Sequence, residues 1–379
     1  MIVDKTKFIF SLVQVLNYVI PKRKNGIIFF SRPDYADNCR ALYEKMIELN
    51  IISKYRVTWV VQNVEEFESK HPGVIVAKHR SLKSLWEMCR ARYIIRTHSF
   101  WNGCYIPGRQ VMCYSFHGMG IKGFEYNTAE RYPYNSFDHF NVTSALWAKM
   151  FAENLNADIE RMDITGLPRN DYLFVQPTEL LDKLDLSLYA KRIIWMPTFK
   201  DKTRDTASYG TDSGLPVVTK AGLNIIQDIL QQNNYCLIIK LHQWAAEEVK
   251  GNWENIRVIS DADIPEPYTF YHLLGLMDVL LTDYSSVSTD FLLLDRPIGY
   301  VYDDIDELRK TRYLPLDPIE NYMAGARIRT EAELHEFFAN LNTDNYKKKR
   351  EEVARVFLQD RDNGSSERFL EAIGLLNKK

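Results

Sequence analysis

The sequence predicts an α/β protein built from two domains, each a parallel sheet covered by helices. From Gly26 onward, short apolar runs with strand character alternate with helical runs, which is the pattern of a parallel sheet with helical crossovers. A second alternating series begins at Arg192, after a polar helical stretch at 176–190. A chain of 379 residues is long enough for two such domains, each with its own core.

Each element is predicted from an apolar run or an amphipathic period bounded by turn residues. The strands predicted for the first series are 26–30, 55–61, 74–76, 93–96, 111–116, 137–142 and 162–164. The helices predicted beside them are 38–49, 81–91, 144–154 and 179–186. The strands predicted for the second series are 192–196, 236–241, 256–258, 279–281 and 298–301. Alternating charged and apolar residues at 344–376 predict one or two amphipathic helices at the end of the chain.

The N-terminal segment 1–24 predicts a separate amphipathic helix. Its apolar run, 8–20, is interrupted by Ser11, Gln14 and Asn17 and is shorter than the ~20 residues that span a bilayer. The three polar residues share one helical face, and a basic cluster, 22–24, follows the run. This pattern favours a helix lying in an anionic headgroup layer, hence a peripheral protein at the cytoplasmic face of the membrane. The alternative is a helix packed on its own domain.

Composition excludes several classes of protein. A net charge of −2 gives no basic field for nucleic acid, and the five cysteines contain no CxxC pair that would indicate zinc or a disulfide framework. Asp261 and Asp263 resemble a DxD metal motif, but their polar loop precedes a helix, and helix initiation explains them better. We therefore expect no essential metal and no other cofactor.

The segment 277–301 is the most informative part of the chain. It predicts a buried strand at 279–281, a Ser-rich turn and a short helix at 287–294. Asp283, Ser285 and Ser286 lie in the turn, where hydroxyls and unpaired backbone N–H groups suit the oxygens of a diphosphate. The alternative is that these three residues only cap the helix.

Other tracts at predicted strand ends extend this observation. They are CYSFHGMGIKG at 113–123, GLPRND at 166–171, WMPTFKD at 195–201 and LIIKLH at 237–242. In this order, with TDYSS at 282–286, the chain resembles the CDP-glycerol glycerophosphotransferase family, the TagB and TagF type enzymes of wall teichoic acid synthesis. The resemblance begins at Asp37-Asn38 and Tyr43, and it extends to Arg312 and the segment 330–334.

The resemblance implies two Rossmann-like domains of the glycosyltransferase B type (GT-B), with a C-terminal helix that crosses back to the first domain. The predicted divisions are 1–24 for the membrane helix, 25–176 for the acceptor side, 190–343 for the CDP donor and 344–379 for the C-terminal helices. It also implies attack by an acceptor hydroxyl on the β-phosphorus of CDP-glycerol, with release of CMP. The acceptor would be a polyprenyl-diphosphate-linked or polymeric glycan.

Such a transfer needs a base near the hydroxyl and positive groups on the diphosphate. His117 is the predicted base, because imidazole titrates near neutrality, and His242 is the second predicted catalytic residue. Gly118 and Lys122 are assigned to the acceptor side. The predicted donor-binding residues are Thr198, Lys200, Asp283, Ser285, Ser286 and Arg312. Arg169, Asn170 and Asp171 are given a structural role, in which Asn or Asp caps the next helix.

Departures from the family pattern leave the substrate open. The family commonly has WHGTPLK where this chain has FHGMGIK at 116–122, and KPHP where it has KLHQ at 240–243. Ribitol phosphate or another polyol phosphate is therefore an alternative to glycerol phosphate. Two other functions stay open: a GT-B glycosyltransferase that uses a nucleotide sugar, and a non-catalytic, membrane-docked protein that binds anionic glycans. His98, at a predicted strand end, receives no role.

Overall fold

The computed structural model describes residues 5–101, 104–125, 137–197, 211–241, 249, 251 and 253–377, without the side chains of 5–10 and 124–125. The chain forms two compact units. Unit 1 comprises Met1–His117, Asn127–Asp171 and Gln359–Lys379. Unit 2 comprises Gly118–Tyr126 and Tyr172–Leu358, so it receives the short segment that directly follows His117.

The strands of the described residues follow the predicted apolar runs closely. In chain order they are β1 (Arg23–Phe30), β2 (Arg56–Val61), β3 (Ile75–Lys78), β4 (Ala91–Arg96), β5 (Val111–Tyr114), β6 (Phe124–Glu125), β7 (His139–Val142), β8 (Met162–Ile164), β9 (Lys191–Met196), β10 (Tyr235–Lys240), β11 (Ile256–Ile259), β12 (Val279–Thr282), β13 (Ile298–Val301), β14 (Arg312–Tyr313) and β15 (Ala326–Ile328).

The α-helices lie between the strands and at both ends of the described chain. They are α1 (Lys5–Val19), α2 (Asp37–Glu48), α3 (Val64–Lys70), α4 (Leu82–Arg90), α5 (Ala145–Leu155), α6 (Thr178–Lys183), α7 (Lys220–Asn233), α8 (Phe270–Gly275), α9 (Val287–Phe291), α10 (Ile305–Thr311), α11 (Glu331–Ala339), α12 (Lys347–Phe357) and α13 (Ser365–Ala372).

Unit 1 contains a parallel sheet with the strand order β3-β2-β1-β4-β5-β7-β8. Its strands are apolar on both faces because helices cover both faces of the sheet. Phe29 and Trp59 stack in the core with ring centroids 5.1 Å apart, and both side chains are fully buried. The strand order reverses direction between β1 and β4, and ligands of such sheets bind beyond the carboxyl ends of strands at this position.

Unit 2 contains a second parallel sheet, ordered β11-β10-β9-β12-β13-β15. Its order reverses between β9 and β12, which places the Ser-rich turn after β12 at the equivalent position. Helix α7 packs against α11, and apolar residues of both helices contribute to the core. A separate antiparallel ribbon pairs β6 with β14, with Arg312 opposite Glu125.

Helix α1 packs on α4 through the few residues that it buries. Val13 and Asn17 are buried, and the Asn17 amide donates a 2.8 Å hydrogen bond to Gln110 Oε1. Lys22 closes the end of α1 by donating to Asn17 Oδ1 at 2.7 Å and to the Cys89 carbonyl at 2.6 Å. Apart from Ser11, the exposed side chains of residues 11–19 are apolar or aromatic, whereas Asn17, one of the three polar residues on the predicted polar face, is buried and anchors the helix.

All five cysteines are buried and none forms a disulfide. Among the residues that the structure describes, no helix combines the length and apolar character needed to cross a bilayer.

Candidate functional site

Three neighbouring strands of unit 1 carry the predicted base and its surroundings. β1, β4 and β5 are adjacent in the sheet, and the chain that leaves their carboxyl ends supplies Asp37 and Asn38, Thr97 and His98, and His117. These residues are distant in sequence but lie together because parallel strands end at one edge. The structure therefore places His117 at the strand end predicted for it.

Two aromatic rings contact the imidazole of His117. The ring of His98 lies parallel to it, with an interplanar angle of 5° and centroids 5.2 Å apart. The Phe116 ring lies 4.3 Å from it, centroid to centroid, tilted by 35°. Gly118 follows with φ of 144°, a backbone angle that residues with a Cβ rarely adopt.

Asn38 fixes the backbone next to His117. Its side-chain amide donates to the Phe116 carbonyl at 2.8 Å, and its Oδ1 accepts the Arg169 backbone N–H at 3.0 Å. Asp37, the preceding residue, forms an ion pair with Arg169 at 2.8 Å, and both side chains are nearly buried. Two tracts of the family resemblance, Asp37-Asn38 and 166–171, are thus joined directly beside the segment that carries His117.

The His98 side chain is mostly buried, and charged groups of both signs lie near it. Burial lowers its pKa, Asp37 opposes that change, and Arg32 and Arg96 add to it. Its Nδ1 lies 2.9 Å from the Thr97 hydroxyl, which is itself buried. The His98 ring is therefore neutral at neutral pH. Sequence reasoning left this residue without a role, although its position at a strand end was visible.

In unit 2, the Ser-rich turn follows β12 as predicted. The Asp283 carboxylate accepts the Ser285 backbone N–H at 3.0 Å, and Ser288 Oγ donates to the Ser285 carbonyl at 2.8 Å. Ser286 occupies the N-cap position of α9 with helical backbone angles, and its side chain makes no capping hydrogen bond. The interpretation of Ser286 as a side-chain cap is therefore wrong, because a residue with helical φ and ψ does not direct its hydroxyl back to the helix start.

The segment after His117 is held against this turn. An ideal Cβ at Gly120 would come within 3.2 Å of the Ser286 backbone nitrogen, so the two backbones are in direct contact. Further along, Gly123 has φ of 67°, and a Cβ there would lie 2.1 Å from the Tyr313 carbonyl oxygen. The β6–β14 ribbon continues this contact and brings Arg312 beside the same segment.

Unit 2 therefore brings together three parts that the sequence predicted separately. These are the Gly118–Lys122 segment, the Ser285-Ser286 turn and Arg312. Thr198, Lys200 and His242 lie outside the described residues, and the strands that precede them end at Met196 and Lys240.

The GLPRND tract has the structural role predicted for it, with a different partner. Asp171 does not cap the next helix. Its two carboxylate oxygens each accept a backbone N–H at 2.9 Å, from Ser365 and Ser366, at the start of α13. This correction has a physical reason, because the segment after Asp171 continues as a 3₁₀ turn to Phe174 and offers no helix N-terminus there.

The DxD-like pair lies in a short 3₁₀ helix of its own, Asp261–Asp263, and does not initiate the following helix α8, which is capped by Thr269. Asp263 accepts hydrogen bonds from the backbone and hydroxyl of Ser260, at 2.7 and 2.8 Å, in a capping box. Asp261 forms a 3.1 Å ion pair with Lys240.

The fold has a close match among solved structures. The structure of the wall teichoic acid polymerase TagF has a TM-score of 0.77 and 21% identity, and the match covers 97% of this chain and 92% of that one. This likeness confirms the predicted fold class, two Rossmann-like domains of the GT-B type.

The family follows from the sequence itself. A family model described as CDP-Glycerol:Poly(glycerophosphate) glycerophosphotransferase matches residues 12–375. The chain belongs to this family of transferases, and the predicted resemblance is confirmed.

The names of individual relatives include both glycerol phosphate and ribitol phosphate. A teichoic acid poly(glycerol phosphate) polymerase of Bacillus subtilis is 26% identical, over 86% of this chain and 45% of the relative. A teichoic acid ribitol-phosphate primase of Bacillus spizizenii is 22% identical, over 95% of this chain and 93% of the relative. A teichoic acid glycerol-phosphate transferase of Staphylococcus aureus is 27% identical, over 74% and 75%. The chain thus spans less than half of the first relative and nearly all of the second.

Proposed function

We propose that this protein transfers a polyol phosphate, with glycerol phosphate as the first candidate, from a CDP-linked donor to a lipid-linked or polymeric glycan acceptor. The product would be a teichoic acid or a related cell-surface polymer. The family match over residues 12–375 carries this proposal. Within unit 2, the contacts that join the Gly118–Lys122 segment, the Ser-rich turn and the strand that carries Arg312 support it, because phosphoryl transfer depends mainly on positioning and charge.

In the proposed reaction, His117 takes the proton of the acceptor hydroxyl. The acceptor oxygen bonds to the β-phosphorus of the donor, and the bond between that phosphorus and the bridging oxygen breaks, so CMP leaves with the bridging oxygen. Ser285, Ser286 and Arg312 lie in unit 2, where they would hold the diphosphate, and Arg312 would neutralise the charge on the leaving group. His242, Thr198 and Lys200 are proposed to complete the donor side.

The test is CMP release by the purified protein with CDP-glycerol and CDP-ribitol, each offered with lipid-linked and polyol-phosphate acceptors. Acceptor-dependent CMP release from one donor would establish the reaction and the polyol together. Release of UDP from a sugar nucleotide would favour the glycosyltransferase alternative instead, and binding of anionic glycans without turnover would favour the binding protein.

Two substitutions make the test specific. His117→Ala should reduce CMP release by about 10²–10⁴-fold, the usual contribution of a general base. His335→Ala is the matched control, because His335 lies on α11 and contacts the Gly222 carbonyl, away from the Ser-rich turn. If His117→Ala retained full turnover while folded, the proposed mechanism would be wrong.

We further propose that the protein binds the cytoplasmic face of the cell membrane through α1 and α4. Among residues 11–19 of α1, five apolar or aromatic side chains are exposed, and α4 adds Leu82, 86% exposed, and Trp86, 50% exposed. The five are Leu12, Val15, Leu16, Tyr18 and Val19. Exposed basic residues near them are Lys24, which follows α1, and Lys83 on α4, and the Arg90 guanidinium lies 5.3 Å from the Trp86 ring centroid. Exposed apolar and aromatic groups beside basic residues are typical of surfaces that enter an anionic headgroup layer.

Co-sedimentation with lipid vesicles tests this surface. The protein should sediment with vesicles that contain anionic lipid, and Val15→Ser combined with Leu16→Ser should lower the bound fraction at least about fivefold, since buried apolar area and charge both contribute. Leu188→Ser is the control, because Leu188 is 87% exposed but lies in unit 2. Equal loss in the control, or no loss in the α1 variant, would remove α1 from the proposal.

A further inference from the structure

The His98 ring is placed where it can control the His117 imidazole directly. The two rings are parallel within 5°, and a centroid distance of 5.2 Å between parallel rings corresponds to an offset stack. Offset stacking covers part of the His117 ring face and restricts rotation about the bond to the ring. A general base needs this restriction, because proton transfer depends on the direction of one nitrogen lone pair.

The His98 ring is itself held in place. Its Nδ1 is 2.9 Å from Thr97 Oγ1, and Thr97 is fully buried at the end of β4. The backbone of Thr97 continues the sheet by donating to the Phe30 carbonyl at 3.0 Å. The backbone before His117 is also fixed, because the Asn38 amide donates to the Phe116 carbonyl. Both histidines of the stack are therefore attached to the edge of the sheet.

The charges around the pair are mixed. Asp37, Arg32 and Arg96 act on His98, and Arg169 neutralises Asp37 through their ion pair. A neutral His98 adds no positive charge beside His117, whereas a protonated His98 would oppose proton uptake by a like charge about 5 Å away. His98 is thus suited to hold the base without disfavouring its protonation.

We propose that His98 is a positioning residue, whose stacked ring fixes the orientation of the His117 imidazole for proton transfer. This inference rests on the proposed role of His117 as base. It assigns no contact with substrate to His98. The proposed role requires only a flat, uncharged ring at position 98. The variant His98→Phe should therefore retain activity, and His98→Ala should not.

The kinetic test compares three variants in the CMP-release assay. His98→Ala should lower kcat about 10–100-fold with the donor KM changed less than about threefold, because orientation affects the transition state more than ground-state binding. His98→Phe should restore kcat to within about fivefold of the original protein, since its ring preserves the stack. His139→Ala is the matched control, because His139 begins β7 in the same unit and pairs with Asp163 rather than with His117.

A second readout does not depend on activity. In protein with isotopically labelled histidine, NMR titration gives the pKa of His117 directly. His98→Ala should raise that pKa by at least about 0.5, because water replaces the stacked ring, and His98→Phe should leave it within about 0.3 of its original value. The acid limb of the rate profile should move with the same pKa.

The outcomes separate the two proposals. If no CDP-polyol supports CMP release, the proposed function fails, while the NMR titration still decides whether His98 controls His117. If His98→Ala keeps the original kcat and His117 pKa, or if His98→Phe loses as much kcat as His98→Ala, the positioning role is overturned. Circular dichroism and thermal unfolding of each variant establish that the comparison is between folded proteins.

Discussion

Gly120 lies directly against the backbone nitrogen of Ser286, at a distance where a Cβ would approach that nitrogen to 3.2 Å. Such a contact is tighter than ordinary van der Waals packing, so a side chain at position 120 must displace the Ser-rich turn or its own segment by a few tenths of an ångström. The contact makes the position of Ser286 depend on the segment that begins immediately after His117.

Gly120→Ala should therefore reduce turnover with little loss of stability. We expect kcat for CMP release to fall about tenfold, because small displacements of positioned groups are costly in transfer reactions. The unfolding free energy should change by less than about 1 kcal/mol, since the strain can be relieved locally. Gly108→Ala is the control for turnover, because no atom lies within 4 Å of the added Cβ, although its positive φ of 77° makes that substitution costly in stability. Equal turnover in both variants would show that the contact with Ser286 has no functional consequence.

Gly123→Ala should be more severe. The substitution adds the cost of a positive φ to a clash 2.1 Å from the Tyr313 carbonyl oxygen, and the β6–β14 ribbon cannot form around it. We expect the Arg312 segment to detach and the donor KM to rise at least about tenfold, since a lost charged contact to a phosphate costs on the order of 1.5–3 kcal/mol. An unchanged donor KM would place Arg312 outside the donor site.

Asp171→Ala should destabilise unit 1 by about 1–2 kcal/mol, the usual cost of losing a helix cap. The reason is that Ser365 and Ser366 lose the acceptor for their buried backbone N–H groups. Urea unfolding measures the change, with Asp182→Ala at an exposed helical position as control. Asp171→Asn, which keeps one acceptor oxygen, should fall between the two. A stability equal to that of the control would contradict the assigned cap.

Arg350 is almost fully buried in unit 2, with 2% of its side chain exposed. It forms ion pairs with Asp295 at 3.1 Å and with Asp344 at 2.7 Å. Arg350→Met should lower the unfolding free energy by about 2–4 kcal/mol, because Asp295 and Asp344 lose the guanidinium group that pairs with both of them. Arg350→Lys should recover only part of this loss. Exposed Arg355, paired with Glu351 one turn earlier in α12, gives a control with a change below about 1 kcal/mol.

The contribution of His79 and His98 to stability should fall as the pH drops below the ordinary histidine pKa of 6.5. Burial lowers the pKa of both side chains, so they bind more protons in the unfolded chain than in the folded one in that range. Asp171 acts in the opposite direction, because burial raises its pKa to about 6. Urea titrations of the original protein and of His79→Phe at several pH values separate the two effects, since phenylalanine keeps a ring beside Phe30, whose centroid lies 4.7 Å from that of His79, and removes the titrating group. A difference in unfolding free energy between the two proteins that stays constant with pH would contradict the lowered pKa of His79.

We also expect CMP release to survive chelation. The DxD-like carboxylates are engaged in a capping box and an ion pair, and we propose that transfer needs no resident metal. Incubation with EDTA followed by gel filtration should leave activity within about twofold, and Asp261→Ala should do the same. Loss of activity that added magnesium restores would reverse this proposal.

Much of the fold could be predicted because buried parallel strands are nearly continuous apolar runs. β12, the turn after it and the short helix from Val287 are present where the sequence predicted them. The strand β15 was missed, because three residues with Arg327 in the middle carry no strand pattern. The β6–β14 ribbon was also missed, since each strand has two residues and only their pairing defines them.

For the described residues of the candidate site, positions at strand ends could be predicted, whereas most contacts could not. His117 and the Ser-rich turn were predicted to follow β5 and β12, and they do. Such positions depend only on where an apolar run ends along the chain. The partners of Asp171 lie 194 and 195 residues away, and no local pattern could indicate them. The same holds for the stack of His98 on His117 and for the contact of Gly120 with Ser286, which exist only in the folded chain.

Because its five cysteines are buried, this protein is suited to labelling at a single introduced cysteine. Burial raises the pKa of each of the five thiols, to about 11 for Cys236 and about 12 for Cys104, so little thiolate forms near neutral pH. A maleimide dye or spin label should therefore react slowly with the native chain. A single cysteine introduced at an exposed position such as Leu188 or Val15 would then report from one known place, without removing any native residue.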